Sequence, residues 1–285
     1  MDSVDEKKKT VLVTGAGGYI GQHVVKALHD FGLGVVALDV YSEALDGCEG
    51  IIIADLLAPD FDIKEYVETL PDVCLHLAWR NGFKHDAATH IEDISGHFRF
   101  IRNLIDSGIA QVAIMGTMHE VGYWEGPVSD DTPCSPQSLY GVAKDALRRA
   151  VLLYADGRDT RIQWLRGFYI YGNDVTAQSI FGKILRAAEQ GEKSFPFTSG
   201  KNLYDFLKVE ELAFQIAACV SQEEVLGIIN CCSGLPVSLS EQVEKFIKLN
   251  ELNISLDYGA YPDRPYDSPG IWGDSEKIKD ILAKL

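Results

Sequence analysis

Basic residues are scarce in this chain: 26 Lys and Arg stand against 42 Asp and Glu over 285 residues, a formal net charge of −16. Such an excess repels polyanions and excludes nucleic acid and anionic membrane surfaces as partners, although a few local basic groups suffice to hold an anionic small molecule. The basic cluster Lys7-Lys8-Lys9 lies in a short polar N-terminal lead and reads as a solvated tail. Long apolar runs are missing too: none approaches the ~20 residues that a bilayer-crossing helix needs. Nothing near the N-terminus has the charged-then-apolar layout of a secretory signal, and a cytoplasmic location is expected on those grounds. Cysteine is sparse, with six residues at 48, 74, 134, 219, 231 and 232 and no CxxC spacing. That density suits reduced core thiols and excludes a secreted disulfide scaffold. Repeats and low-complexity stretches are lacking as well, so a chain of this length is expected to form one large domain or two closely joined ones.

What is present is concentrated in two motifs. The first, Thr14-Gly15-Ala16-Gly17-Gly18-Tyr19-Ile20-Gly21, directly follows the apolar run Val11-Leu12-Val13. Glycines at 15, 18 and 21 let the backbone turn tightly between a strand and a helix, with N–H groups facing a pyrophosphate at the helix N-terminus. Asp39 closes the next apolar run, Val35-Val36-Ala37-Leu38, at the distance where an acid hydrogen-bonds the adenosine ribose diol. A carboxylate there repels a 2′-phosphate, and no Arg or Lys lies between Val40 and Ile63, so NAD is favoured over NADP. Three glycines after a strand are also ordinary turn chemistry; Asp39 and the βαβ context separate the two readings.

The second motif is Tyr140-Gly141-Val142-Ala143-Lys144. On a helix over 138–155, positions 140 and 144 fall one turn apart on one face, so a phenol and an ammonium share one space. Free tyrosine titrates near pH ~10 and is a poor base at neutrality, but nearby positive charge stabilises the phenolate. It then exchanges a proton with a substrate hydroxyl while hydride moves to or from a nicotinamide. A Tyr/Lys pair at this spacing also decorates many surface helices, and the glycine motif gives it its meaning.

Together these motifs resemble those of the extended short-chain dehydrogenases/reductases of the nucleotide-sugar epimerase/dehydratase family, and the resemblance runs over nearly the whole chain. Asp55-Leu56 is similar to that family's adenine contact, and His76-Leu77-Ala78-Trp79 to its His-Leu-Ala-Ala strand end. The segment 165–172, with Phe168 and Tyr169, resembles the strand beneath the nicotinamide, and 204–213 resembles its Arg-Asp-Phe-x-x-Val-x-Asp-x-Ala segment. Arg264-Pro265 looks like the family's C-terminal end. The resemblance implies catalytic roles for Thr117, Tyr140 and Lys144, with Thr117 positioning the reacting oxygen and Lys144 also contacting the nicotinamide ribose. It implies NAD contacts from Gly15, Gly18, Tyr19, Ile20, Gly21, Asp39, Asp55, Leu56, Leu77, Ala78, Trp79, Tyr140, Lys144 and Phe168. Substrate contacts are implied for Thr117, His119, Tyr140, Tyr169, Tyr204 and Arg264.

Alternating apolar runs and amphipathic stretches predict strands at 10–14, 34–39, 50–54, 72–78, 111–116 and 161–167, with helices near 19–31, 86–107 and 138–155. The fold class is α/β, a doubly wound parallel Rossmann sheet with a smaller, discontinuous C-terminal substrate lobe. Residues 1–171, with 203–233 returning, are expected to form the NAD-binding domain; 172–202 and 234–285 are expected to form the lobe. Asp86, His90, Asp93 and His97 fall on one side of a predicted helix without metal-ligand spacing, and are read as a solvated or dimer-facing surface. No metal is expected. In the resembled family this helix and the Tyr-Lys helix build a four-helix contact, implying a homodimer.

Departures from the family pattern bear on the substrate. Met118 and His119 replace the acid pair of 4,6-dehydratases, which argues against dehydration. Tyr169 and Tyr204 stand where Asn and Arg usually touch a diphosphate, Asp93 stands for an Asn, and Trp79 is unusually large. The expected activity is NAD-dependent oxidoreduction of a secondary alcohol on a nucleotide-diphosphate sugar, with 4-epimerisation preferred because Asp39 suits a retained NAD. A nucleotide-linked 4-keto-6-deoxy-sugar reductase is the alternative. A non-catalytic dinucleotide-binding sensor or scaffold is the alternative of another class.

Overall fold

A computed structural model describes residues 8–45, 47–175, 178–263 and 267–285. In chain order the first half runs β1 (Thr10–Thr14), α1 (Tyr19–Asp30), β2 (Gly34–Asp39), β3 (Gly50–Ile53), β4 (Val73–His76), α2 (Thr89–Ser107), β5 (Gln111–Thr117), β6 (Gly126–Val128), α3 (Leu139–Ala155) and β7 (Arg161–Gly167). The second half continues with β8 (Tyr169–Tyr171), α4 (Ile180–Glu189), β9 (Ser194–Phe197), β10 (Leu203–Lys208), α5 (Val209–Ser221) and β11 (Gly227–Cys231). It ends with β12 (Pro236–Ser238), α6 (Leu239–Leu249), β13 (Ser255–Tyr258), β14 (Gly270–Gly273) and α7 (Glu276–Leu282).

Seven strands pair in the order β11-β7-β5-β4-β1-β2-β3, and every pairing is parallel. The six predicted strands lie in this sheet. Side chains alternate across it, so Val11, Val13, Val35, Ala37, Leu75 and Ala113 fill one face with α1 and α5, while Leu12, Leu38, Cys74, Val112 and Ile114 fill the other against α2 and α3. Both faces are covered, as a parallel sheet requires.

Local chemistry sets the ends that matter. Ser138 caps α3, its hydroxyl accepting from Gly141 N at 3.1 Å, and Gly108 at φ 95° ends α2. Two boundaries differ from the sequence expectation by more than one residue. Strand β4 stops at His76 because the next two residues turn onto β1: Leu77 N donates to Thr14 O at 3.2 Å and Ala78 N to Thr14 Oγ1 at 3.2 Å. Helix α2 begins at Thr89 because 81–87 forms turns, with Asn81 at φ 58° and Lys84 N bonded to Asn81 O at 2.7 Å.

Beyond β7 a second sheet, β12-β10-β14-β6 with β8 beside β10, stands at the C-terminal ends of the main strands, and β9 pairs β13 separately. Within 203–233, α5 packs on α1 and β11 pairs β7, whereas β10 belongs to the second sheet. Asp205 ties these parts together, its carboxylate accepting from Ser233 N, Gly234 N and Gly273 N at 2.8, 2.9 and 3.1 Å.

Candidate active site

The main strands end in one cleft of about 1320 Å³, which exceeds the usual span for a single drug-sized ligand and has room for a dinucleotide and a second molecule. Its lower wall is the glycine loop. Gly15 sits at φ 69°, and a Cβ there would lie 2.8 Å from Ala78 Cα; a Cβ on Gly21 would lie 2.2 Å from Gly15 O. Only glycine lets β1, α1 and the β4 exit approach this closely. Gly18 precedes α1 without a side-chain cap, so the first-turn N–H groups of the helix face the cleft. Asp39 ends β2 beside them, its Oδ2 accepting from Gly17 N at 3.1 Å and its Oδ1 from Val40 N at 2.8 Å. Tyr19, Ile20, Asp55, Leu56, Leu77, Ala78, Trp79 and Phe168 line the same cleft. This cradle, floored by glycine backbone and flanked by a carboxylate, fits the diphosphate and ribose of NAD.

The residues expected to react meet where β5 joins α3. Thr117, buried at the last position of β5, lines the same cleft as Tyr140, close enough for its side chain to influence the phenol, and its Oγ1 accepts from His119 N at 3.3 Å. Tyr140 faces the cleft, enclosed by His85, whose ring stacks on it at 5.2 Å, and by His119 at 6.1 Å. Lys144, one turn along α3, donates from Nζ to Met115 O at 2.8 Å. Burial pushes the Tyr140 phenol above its ordinary value, while the polar side chain of Thr117 pulls the other way. Burial likewise drives the Lys144 ammonium down to about 7, partly opposed by Glu120. His119 falls to about 3, chiefly through burial, so it is neutral at physiological pH. Tyr140 is therefore a protonated phenol until positive charge reaches it. Bound NAD supplies a hydride acceptor carrying that charge.

Substrate-side residues divide. Tyr169 and Tyr204 line the cleft, their rings 4.1 Å apart, on β8 and β10. Arg264 lies outside the described residues.

Three further histidines and a buried ionic cluster complete the site. His90 and His97, read from sequence as a solvated or dimer-facing set, are in fact buried: His90 accepts the Trp79 indole N–H at its Nδ1 (3.0 Å), and His97 pairs its Nδ1 with His76 Nε2 (3.0 Å). Asp93 instead pairs with Arg80 through two hydrogen bonds of 2.8 and 2.6 Å. Behind Thr117, the buried Glu120 accepts from Thr117 N at 2.8 Å, Trp164 Nε1 at 2.9 Å and Arg148 Nε at 3.1 Å; Arg166 approaches to 3.6 Å. Sequence reasoning missed this cluster, although one signal was available: Tyr140, Lys144 and Arg148 form an i, i+4, i+8 stripe, so a charge follows the Tyr-Lys pair on the same helix face. Among the described residues no group of three or more His, Cys, Asp or Glu is placed to hold a metal ion, and no helix is long and apolar enough to cross a membrane.

A family model described as the NAD dependent epimerase/dehydratase family matches residues 11–232. The chain belongs to that family. It is accordingly an NAD-dependent enzyme of the extended short-chain type. A curated relative, dTDP-6-deoxy-L-talose 4-dehydrogenase (NAD(+)) of Aggregatibacter actinomycetemcomitans, is 40% identical over 268 residues, covering 92% of this chain and 98% of the relative. UDP-glucose 4-epimerase of Azospirillum brasilense is 23% identical, covering 96% and 86%. Among solved structures, MoeE5 in complex with UDP-glucuronic acid and NAD superposes with a TM-score of 0.82 at 26% identity, covering 96% of this chain and 92% of that one. UDP-N-acetylglucosamine 4-epimerase from Methanobrevibacter ruminantium M1 gives 0.83 at 23% identity, covering 96% and 92%, and so supports the family's fold.

Proposed function

We propose that this enzyme moves hydride between NAD and C4 of a hexose carried on a nucleotide diphosphate, with Tyr140 exchanging the proton of the C4 hydroxyl. The observation that carries the reading is the gathering of Thr117, Tyr140 and Lys144, the last two one helical turn apart, in the same cleft as the glycine loop. Thr117 holds the reacting oxygen against the phenol, and the Lys144 ammonium favours the phenolate once substrate and cofactor exclude water. Asp39 takes the adenosine ribose diol; Asp55 and Leu56 flank the adenine. Phe168 lies under the nicotinamide, while His119, neutral and beside Tyr140, hydrogen-bonds a sugar hydroxyl. Tyr169, Tyr204 and Arg264 serve the diphosphate, tyrosine hydroxyls being able donors to phosphate oxygens.

Two forms of this reaction share the same first step. In a 4-epimerase the hydride returns to the opposite face of the 4-keto sugar, the form that tightly held NAD favours. The 40%-identical relative favours the second form, net oxidation or reduction at C4 of a dTDP-linked 6-deoxyhexose. The intact Thr117, Tyr140 and Lys144 set speaks against a sensor without chemistry. We also assign residues 172–202 and 234–275 to the substrate lobe, since α7 packs back on α5 and β11, together with a homodimer through α2 and α3 and a cytoplasmic location. The exposed Val142 and Leu153 on α3 and Ile91 on α2 suit the dimer contact, and the free thiols suit the cytoplasm.

The deciding experiment incubates the protein with NAD and, separately, with dTDP-6-deoxyhexoses and UDP-hexoses, following NADH absorbance and product stereochemistry by NMR. Stoichiometric NADH identifies a dehydrogenase; inversion at C4 without net NADH identifies an epimerase. Replacing Tyr140 with Phe is expected to lower turnover by about 10²–10⁴-fold with NAD binding retained, because only the ionisable hydroxyl goes. Unchanged turnover would remove the assigned proton transfer.

A further inference from the structure

Trp79 departs from the small residue of the resembled strand end, and its surroundings show what the ring does. Its indole N–H donates to His90 Nδ1 at 3.0 Å, and with that nitrogen accepting, His90 Nε2 donates to Lys84 O at 2.9 Å. The ring also stacks on His97, centroids 4.3 Å apart and planes within 11°. Its orientation is therefore fixed at an edge and on a face. Within that frame, the Lys144 Nζ lies 3.7 Å from the Trp79 ring centroid, while the Tyr140 ring stands edge-on at 6.1 Å.

Lys144 needs such a partner. The side chain is 2% exposed, donates to the Met115 carbonyl, and forms no salt bridge among the described residues. A buried ammonium without a carboxylate loses its proton readily unless something else stabilises the charge. The electron-rich face of an indole is the best aromatic partner for that purpose, and its effect grows where water is excluded.

We propose that Trp79 is a positioning residue for Lys144, holding the ammonium charged and beside Tyr140 by a cation–π contact in place of a carboxylate. The charged and titratable groups facing Lys144 are few. His76 on β4 and His97 on α2 are held neutral by burial, the latter at about 3; Tyr140 precedes Lys144 on α3; Glu120, joined to Arg148 and approached by Arg166, is the nearby anion. None of these replaces the ring if it is removed. The catalytic meaning of the contact rests on the hydride-transfer reading above, but the contact itself is testable without substrate.

Protein carrying ¹³Cε-lysine is titrated by NMR with NAD absent, the Lys144 signal being assigned by its loss in Lys144→Met. In Trp79→Leu the Lys144 midpoint is expected to fall by about one pH unit relative to the wild type. An unchanged midpoint in a folded Trp79→Leu protein would overturn the proposal. Should that variant fail to fold, a polyfluorinated tryptophan installed at position 79 keeps the shape and hydrogen bond while draining the π face. The midpoint is then expected to fall by a comparable amount, and its constancy would equally overturn the proposal. Because no turnover is measured, failure of the proposed C4 chemistry leaves this result standing, and the reverse also holds.

Discussion

Glu120→Gln tests whether the reacting end of the cleft rests on a buried ionic lock. The wild-type carboxylate is fully buried, with one oxygen accepting from the Thr117 amide and the Trp164 indole and the other from Arg148. A glutamine carbonyl retains the first pair of bonds. The second oxygen becomes an NH₂ aimed at Arg148 and Arg166, and the negative charge between them is lost. Removing one partner of a buried ion pair costs about 3–5 kcal/mol, because the remaining charge stays buried and unneutralised. Arg148 keeps Asp145 as a second partner, which places the expected loss near the lower end, about 3 kcal/mol. Arg166 has no other carboxylate partner among the described residues, which keeps the loss from vanishing. At roughly 2–4 °C per kcal/mol for a domain of this size, Tm should fall by about 6–12 °C. The assay is thermal and urea unfolding of NAD-free protein, since bound NAD stabilises the native state by mass action and masks the difference. A loss under about 1 kcal/mol would refute the lock. An Arg148→Met partner in a double-mutant cycle should show coupling well above the ~0.5 kcal/mol within which independent sites add.

Two further outcomes follow from the same geometry. Asp39→Ala should narrow the preference for NAD over NADP, since the carboxylate at the end of β2 repels a 2′-phosphate; titration of both dinucleotides checks it, and an unaltered ratio would remove the argument for NAD from this residue. Lys144→Met should flatten part of the pH dependence of stability in NAD-free protein. The folded-state value of about 7 lies below the unfolded one near ~10.4, so between them the unfolded chain binds more protons and stability rises with pH. Below about 7 the cost of burying the ammonium is present in full. The gain of Lys144→Met over wild type should therefore be largest at neutral and lower pH and shrink toward pH 10; a constant difference would contradict the burial of a charged ammonium.

The cofactor half of the site was legible because it is written locally. A strand, a glycine turn, a helix and an acid at the next strand end all lie within 10–39; a positive φ demands glycine at 15, and the close approach of Gly15 O demands it at 21. The Tyr-Lys pair was legible for the same reason, being one helical turn. The residues that hold this pair in place were not, because each comes from a different element. Glu120 follows β5, Arg148 lies on α3, Arg166 on β7, and nothing in a single sequence says that a polar residue on a strand end points inward. Helical periodicity misled at α2, where His90 and His97 sit among polar residues and were read as solvated. Their true partners, Trp79 and His76, lie at or just past the end of β4, 11 and 21 residues away in sequence and adjacent only once the parallel sheet has formed. The large ring at 79 was visible as an anomaly from the start. Its meaning required the three-dimensional fact that α2 and α3 both close over the end of β4, bringing two imidazoles and one ammonium to a single indole. On the proposal above, a change that looks like added bulk in the cleft becomes, once folded, a change in how Lys144 keeps its proton.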